Sequence, residues 1–208
     1  MVGGVALRTW REMVARVCFA LLLVGFPLVL AVKIAAQRRA LGRSPIVLGK
    51  APGAWWDRWF ERLGPAGLAL WPLVWLWAAL GGAPLRGGVA GALGVVVMAV
   101  GAVEAAVAIF AMGRAWRIGI DPENRSELAE GGPYRWIRHP IYSGMVVLLI
   151  GNAITIAQPA IAVMALLTGL GITHQARREE QYLLGAFGTR YAGYLARTGR
   201  FFPRLRRS

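Results

Sequence analysis

HPIYSGMVVLLIGNAITIAQPAIAVMALLTGLGITHQA, residues 139–176, contains no Asp, Glu, Lys or Arg. It lies between Arg138 and Arg177 and is 38 residues long. A membrane-crossing helix takes roughly 20 apolar residues, so this run is too long for one helix and about right for two. Gln158-Pro159 sits near its middle. Proline opens a helix well but cannot continue one. The run therefore predicts a tight hairpin of two helices, His139 to Ala157 and Pro159 to Ala176.

The rest of the chain repeats the pattern. Arg16 and Lys33 enclose 16 uncharged residues, Arg62 and Arg86 enclose 23, and Gly87 to Gly113 carries a single charge, Glu104. With 57% of its 208 residues hydrophobic and a mean hydropathy of +0.51, the sequence suits a bilayer better than a water-facing globule. The expected fold is all-α, a polytopic membrane bundle of about five spanning helices with a C-terminal hairpin and a cytosolic tail helix. The first apolar run is short and holds Pro27, but no small-residue cleavage site leads into a polar mature domain, so a retained helix is expected rather than a signal peptide. The alternative is a kinked or partly embedded helix whose flanking Arg16 and Lys33 snorkel to the interface.

The net charge of +14 invites a nucleic-acid partner, but its placement argues against one. Seven basic residues fall from Lys33 to Arg62, five from Arg114 to Arg138 and eight from Arg177 onward, against only Arg86 in the loop before helix three. That asymmetry is the positive-inside pattern, which puts those three basic regions in the cytosol. The single cysteine, Cys18, lies in an apolar run and forms no intrachain disulfide. Two organisational units are expected: residues 1–112, with helices one to three and an interfacial helix near 54–63, and residues 113–208, a loop, hairpin and C-terminal helix. The segment A-W-W-D-R-W-F-E-R-L, 54–63, sets aromatics against charges and predicts a helix at headgroup level. Trp71, Trp75 and Trp77 mark the depth and packing of helix two, while Gly87, Gly91 and Gly94 suggest close helix contact in helix three. Glu104, the one acid inside an apolar span, should face protein or water. It is either a ligand contact or an internal hydrogen-bond partner, of His174 or Asn152 for example. The tail from Arg177 predicts a basic amphipathic helix and turn against the base of the membrane domain, ended by Pro203.

Dense polar chemistry sits at both ends of the hairpin: G-G-P-Y-R-W-I-R-H-P-I-Y-S-G, 131–144, and R-R-E-E-Q-Y-L-L-G-A-F-G, 177–188. A hairpin brings its ends together, so Arg138, His139 and Tyr142 should lie near Glu179 and Glu180 at the cytosolic surface. No phosphate loop of the G-x-x-x-x-G-K-[ST] type is present, nor a G-x-G-x-x-G after a strand. His139 and His174 lack metal-ligand spacing, and no metal is expected. Ser143 has no base-and-orienter set around it.

G-P-Y-R-W-I-R-H-P-I-Y-S-G, a hairpin, E-E-x-x-L-x-x-x-F-G, then Y-x-x-Y and R-F-F-P together resemble the isoprenylcysteine carboxyl methyltransferase and phospholipid methyltransferase superfamily, over about Gly113 to Pro203. The resemblance implies an S-adenosylmethionine-dependent membrane methyltransferase without a Rossmann fold, acting on a lipophilic acceptor. It further implies a cytosolic cofactor pocket lined by Leu128, Ala129, Tyr134, His139, Pro140, Ile141, Tyr142, Glu179 and Glu180, with Glu179 the cofactor-binding glutamate. Gln175 and Glu104 are the candidates on the acceptor side. Gln175 stands where the protein-modifying branch of the superfamily carries arginine, which argues against a prenylcysteine carboxylate. No catalytic base is assigned. The competing expectations are an NADPH-dependent sterol-type membrane reductase and a non-catalytic transporter or assembly protein.

Overall fold

The computed structural model describes residues 16, 24–50, 55, 57–59, 62, 64, 67, 70–80, 82, 84–123 and 127–204. Arg8, Arg11, Cys18, Trp56, Phe60, Glu61 and residues 205–208, including Ser208, lie outside that set. Six helices carry the description below: α1 (24–41), α2 (Trp71–Ala79), α3 (Gly88–Ala111), α4 (Pro140–Thr155), α5 (Pro159–Phe187) and α6 (Thr189–Arg197). The described residues of the tryptophan-rich segment, 55, 57–59 and 62, are also helical. Among the described residues there is no β-strand, only three isolated bridges.

The hairpin turns where the sequence expects. Pro159 opens α5, and Gln158 N donates to Ile156 O at 2.8 Å across the turn. The centre of the molecule is the antiparallel α3–α4 pair, whose backbones meet through glycines. A Cβ at Gly101 would lie 2.4 Å from Leu148 N and 2.5 Å from Gly144 O, and one at Gly151 would lie 2.5 Å from Met98 N. Gly94 abuts Thr155 and Gly144 abuts Ala105 in the same way. This is the close approach that small residues permit inside membranes. Of the three glycines expected at this contact only Gly94 makes it, because Gly87 faces open space and Gly91 meets Arg86 O of its own segment. Against the pair packs α2, where Trp71 and Trp75 are buried and Trp75 Nε1 donates to Asn152 Oδ1 at 2.8 Å.

Around this core the helices are apolar where they are bare. Val89, Val96, Val100, Val103, Val107 and Phe110 on α3, and Leu166, Leu167 and Leu170 on α5, are each at least 50% exposed. A water-soluble monomer rarely shows a continuous apolar face of that extent, and lipid would cover it. Both α3 and α5 are long and apolar enough to cross a membrane, whereas α4 is apolar but shorter, at 16 residues. The all-helical architecture is consistent with a helical membrane protein.

The two ends of the bundle are chemically distinct. At one end Arg86 N donates to Thr155 O at 2.8 Å and Ala157 N to Pro84 O at 2.9 Å, so the loop bearing Arg86 and the hairpin turn are neighbours. At the other end α1 and its following segment are tied to the loop after α3. Lys33 Nζ donates to Gly113 O at 2.9 Å, Gln37 Nε2 to Arg114 O at 2.7 Å, Val47 N to Ile118 O at 2.8 Å, and Lys50 pairs with Glu123 at 2.8 Å. The three basic regions thus gather at one end, as the charge pattern suggests.

One alternative and one expectation need correction. Lys33, which would snorkel to the interface only in the alternative reading of the first helix, is buried, with its ammonium over the Phe110 and Trp116 rings. The tail does not begin as a separate element at Arg177. Helix α5 runs unbroken through the charged turn to Phe187, and Gly188, with φ of +53°, breaks it. The next helix stops at Arg197, and the turn that follows it runs to Pro203.

Candidate functional site

The described residues of the loop, 113–123 and 127–139, with the far half of α5 and α6, enclose a cleft at the basic end of the bundle. Short-range turn chemistry shapes the loop. Gly132, at φ +57°, and Pro133 start a single 3-10 turn, Gly132–Arg135, which drives Tyr134 inward to 2% exposure. Tyr134 OH donates to Ala108 O at 3.3 Å, and its carbonyl accepts from Tyr194 OH at 2.6 Å. Burial pushes the Tyr194 hydroxyl up to about 12, so it stays a neutral donor.

Next along the chain, residues 136–139 pair with 199–200. Arg138 N donates to Gly199 O at 2.8 Å, His139 N to Arg200 O at 3.1 Å, and Gly199 N to Trp136 O at 3.2 Å. The side chains bolt this seam together through Glu180. Arg138 Nε donates to Glu180 Oε1 at 2.9 Å, and Arg200 Nη2 to Glu180 Oε2 at 2.5 Å. Arg138 Nη1 also reaches the Thr198 carbonyl and Leu195 O. Glu180 lies beyond the apolar stretch of α5, in the charged turn that follows it. Burial works against its ionisation, but the His139 imidazole and the guanidinium groups of Arg200 and Arg138 outweigh burial and hold the carboxyl well below the usual carboxylate range.

Glu179, one residue earlier, points elsewhere. Its Oε1 accepts from Tyr142 OH at 2.5 Å and from Gln175 Nε2 at 3.0 Å. Between the two acids stands His139, with Nδ1 3.7 Å from Glu179 Oε2 and Nε2 3.4 Å from Glu180 Oε1. The imidazole is stacked on Tyr142 at 5.5 Å, and its buried Nε2 has no hydrogen-bond partner.

The cleft is small, about 110 Å³ against the roughly 300–1,000 Å³ of small-molecule sites, and its mouth is open. Leu128, Ala129, Tyr134, His139 and Glu179 line it, five of the residues singled out from the sequence. Pro140, Ile141, Tyr142, Gln175 and Glu180 do not: Tyr142 and Gln175 stand behind Glu179, and Glu180 is spent on the seam. Glu104 is half-buried on α3 and also outside the lining. Neither suggested partner takes it up, since Asn152 bonds to Trp75 and Leu148, and His174 lies 4.0 Å from Asp57.

The lining also includes Arg117 and Tyr182, and Leu183, Phe187, Tyr191 and Tyr194, which the sequence reading quoted as motif residues without assigning them to the pocket. The signal was present. Glu179, Tyr182, Leu183 and Phe187 recur at i, i+3, i+4 and i+8, one face of a helix, but it shows only if α5 continues past Arg177. This wall offers guanidinium groups, a carboxylate and several aromatic rings. S-adenosylmethionine carries the complements: a carboxylate, an ammonium with ribose hydroxyls, and an adenine beside a cationic sulfur. The residues present fit it.

Residues 89–190, just under half of the chain, match the phospholipid methyltransferase family, a span that holds the loop and α5 walls of the cleft but not Tyr191 and Tyr194 of α6. The chain is also 35% identical over 101 residues to the cobalt-zinc-cadmium resistance protein CzcN of Cupriavidus metallidurans. That alignment covers 48% of this chain and 46% of the relative, so the match spans about half of either protein. Among the described residues no group of three or more His, Cys, Asp and Glu side chains is placed to hold a metal ion.

Proposed function

We propose that the protein is a multi-pass membrane methyltransferase that binds S-adenosylmethionine in the cleft and methylates a lipophilic acceptor. The observation that carries this is the cleft itself, formed where the two ends of one hairpin meet inside the family-matched span and walled by Leu128, Ala129, Tyr134, His139 and Glu179. The cofactor supplies an electrophilic methyl group on a positively charged sulfur. Glu179 accepts hydrogen bonds from the ligand's hydroxyl or amino groups, and Tyr142 and Gln175 fix its carboxylate from behind. Tyr182, Leu183, Phe187 and the two tyrosines of α6 keep water from the reacting atoms. Alignment and water exclusion supply much of the acceleration in such a displacement. A carboxylate acceptor needs no base. An amine acceptor needs one, and His139, the lining imidazole, is the group at hand.

Binding tests this reading. In nanodiscs, calorimetry should detect S-adenosylmethionine binding and no NADPH binding; the reverse would favour a reductase. Glu179→Ala should weaken the cofactor by roughly 10- to 100-fold, since a charge-assisted hydrogen bond contributes about 1.5–3 kcal/mol. If that variant unfolds like wild type and binds normally, Glu179 is not a cofactor ligand.

The cleft opens to the cytosol in this reading, because it shares its end of the bundle with the basic regions. Single cysteines placed at Lys50 or Glu123 should resist a membrane-impermeant reagent in intact cells, and those at Arg86 or Gln158 should react. External labelling at Glu123 would reverse the orientation.

A further inference from the structure

Arg178 is a buried cation that the proposed reaction leaves unused. Its side chain is 9% exposed, yet its bonding is incomplete. Nη1 donates to Gln175 Oε1 at 3.3 Å, Nε stands 3.3 Å from Asp57 Oδ1, and the buried Nη2 has no hydrogen-bond partner. A guanidinium removed from water normally has its donors met, often by a carboxylate or phosphate engaged at two points. Here one carboxylate touches one edge, and two N–H groups remain unmet.

The position gives this deficit a direction. Gln175 joins Arg178 to the cleft, since its carbonyl accepts from Arg178 while its amide donates to Glu179, a cleft-wall residue. On the other side Asp57 belongs to the tryptophan-rich segment, where Trp55 and Trp59 are 63% and 53% exposed, as suits a membrane interface. The guanidinium therefore lies between the proposed methyl-donor cleft and the surface from which a lipophilic molecule arrives. His174 Nε2, 4.0 Å from Asp57, borders the same spot.

We propose that Arg178 binds the anionic head of the methyl acceptor, a carboxylate or phosphate, and that Asp57 is a stand-in carboxylate which this oxyanion displaces. The proposal rests on the methyltransferase reading and supplies its acceptor class. Asp57 is suited to being displaced: it is more exposed than Arg178, at 21%, and holds the cation by one edge. An incoming oxyanion that engages Nη2 as well makes the two-point contact that Asp57 does not. Displacement brings the acceptor to within one side chain, Gln175, of Glu179.

The two partners then have opposite effects, which a structural ion pair would not give. Full-length protein in neutral-lipid nanodiscs is titrated with hexyl phosphate, hexanoate and hexanol, followed by tryptophan fluorescence. The phosphate or the carboxylate should saturate the signal, and hexanol should not; the stronger of the two identifies the head group. Arg178→Gln should weaken that binding at least tenfold, with Arg178→Lys intermediate. Asp57→Asn should tighten it severalfold by removing the competitor. S-adenosylmethionine affinity, measured beside each, should stay within about threefold of wild type. Oxyanion binding that survives Arg178→Gln, or that weakens in Asp57→Asn while the fold is intact, overturns the proposal. Wild type that fails to bind S-adenosylmethionine overturns the methyltransferase reading instead.

Discussion

Glu180→Ala is expected to lower the unfolding free energy by about 3–5 kcal/mol, the usual cost of removing one partner from a buried ion pair. The change strands Arg138, whose side chain is 11% exposed, and frees Arg200 from both carboxylate oxygens. The seam between 136–139 and 198–200 should loosen with it, and cofactor binding should fall as a secondary effect. The folded protein holds this carboxyl below its ordinary value of 4.5. Its stabilising contribution is therefore complete above that pH and is lost as pH falls beneath it. Glu180→Gln, which keeps the shape without the charge, should flatten the acid limb of the stability curve. Thermal unfolding in detergent between pH 3 and 7 measures both effects. An unchanged midpoint for Glu180→Ala would mean that the seam stands without its carboxylate.

Gly101→Leu should be at least as damaging. Even a Cβ at this position meets Leu148 N at 2.4 Å and Gly144 O at 2.5 Å, so backbone rather than a movable side-chain end must give way. Overpacking typically costs 1–3 kcal/mol and more where the obstacle is rigid, so a loss of about 3 kcal/mol or more is expected. The informative comparison is with alanine. Intrinsic propensity favours Ala over Gly in a helix by about 1 kcal/mol. Gly169→Ala on α5, with nothing within 4 Å of the added Cβ, should therefore stabilise slightly. Gly101→Ala and Gly151→Ala should destabilise despite the same propensity gain. Unfolding in denaturant separates the signs. If all three alanines stabilise alike, the α3–α4 pair is not in glycine contact.

How much of this was legible follows the range of each interaction. The hairpin was legible because an uncharged run and a Gln-Pro turn are local: His139 to Ala157 and Pro159 to Ala176 became Pro140–Thr155 and Pro159–Phe187. The overshoot of α5 was missed because Arg177, Arg178, Glu179 and Glu180 were taken to end the element. Charge marks where apolar surroundings stop; a helix stops where its backbone does, here at Gly188. Of the glycine contact only Gly94 was read from the sequence; Gly101 on α3 and Gly144 and Gly151 on α4, at the same spacing of seven, were not. The meeting of His139 and Tyr142 with Glu179 and Glu180 followed from hairpin geometry alone. That Glu180 would be claimed by Arg200, and Asp57 by Arg178, depends on long-range contacts that no local pattern encodes.

The unbroken course of α5 makes it a lever. If α5 spans the bilayer, its proline end lies at one face while Glu179, twenty residues on, sits roughly 30 Å away at 1.5 Å per residue. Spanning helices answer a change in hydrocarbon thickness by tilting. A tilt of about 10° about the Pro159 end would carry Glu179 sideways by roughly 5 Å, more than the length of any hydrogen bond that holds it. The loop wall bearing Leu128 and Ala129 is tied to α6 through Glu130, which pairs with Arg190 and Arg197, and to α5 itself through Tyr182 on Asp121 O and Glu180 on Arg138. Bilayer thickness would act on the cleft through these ties, and the membrane that supplies the acceptor would also help to set the distance across which a methyl group has to pass.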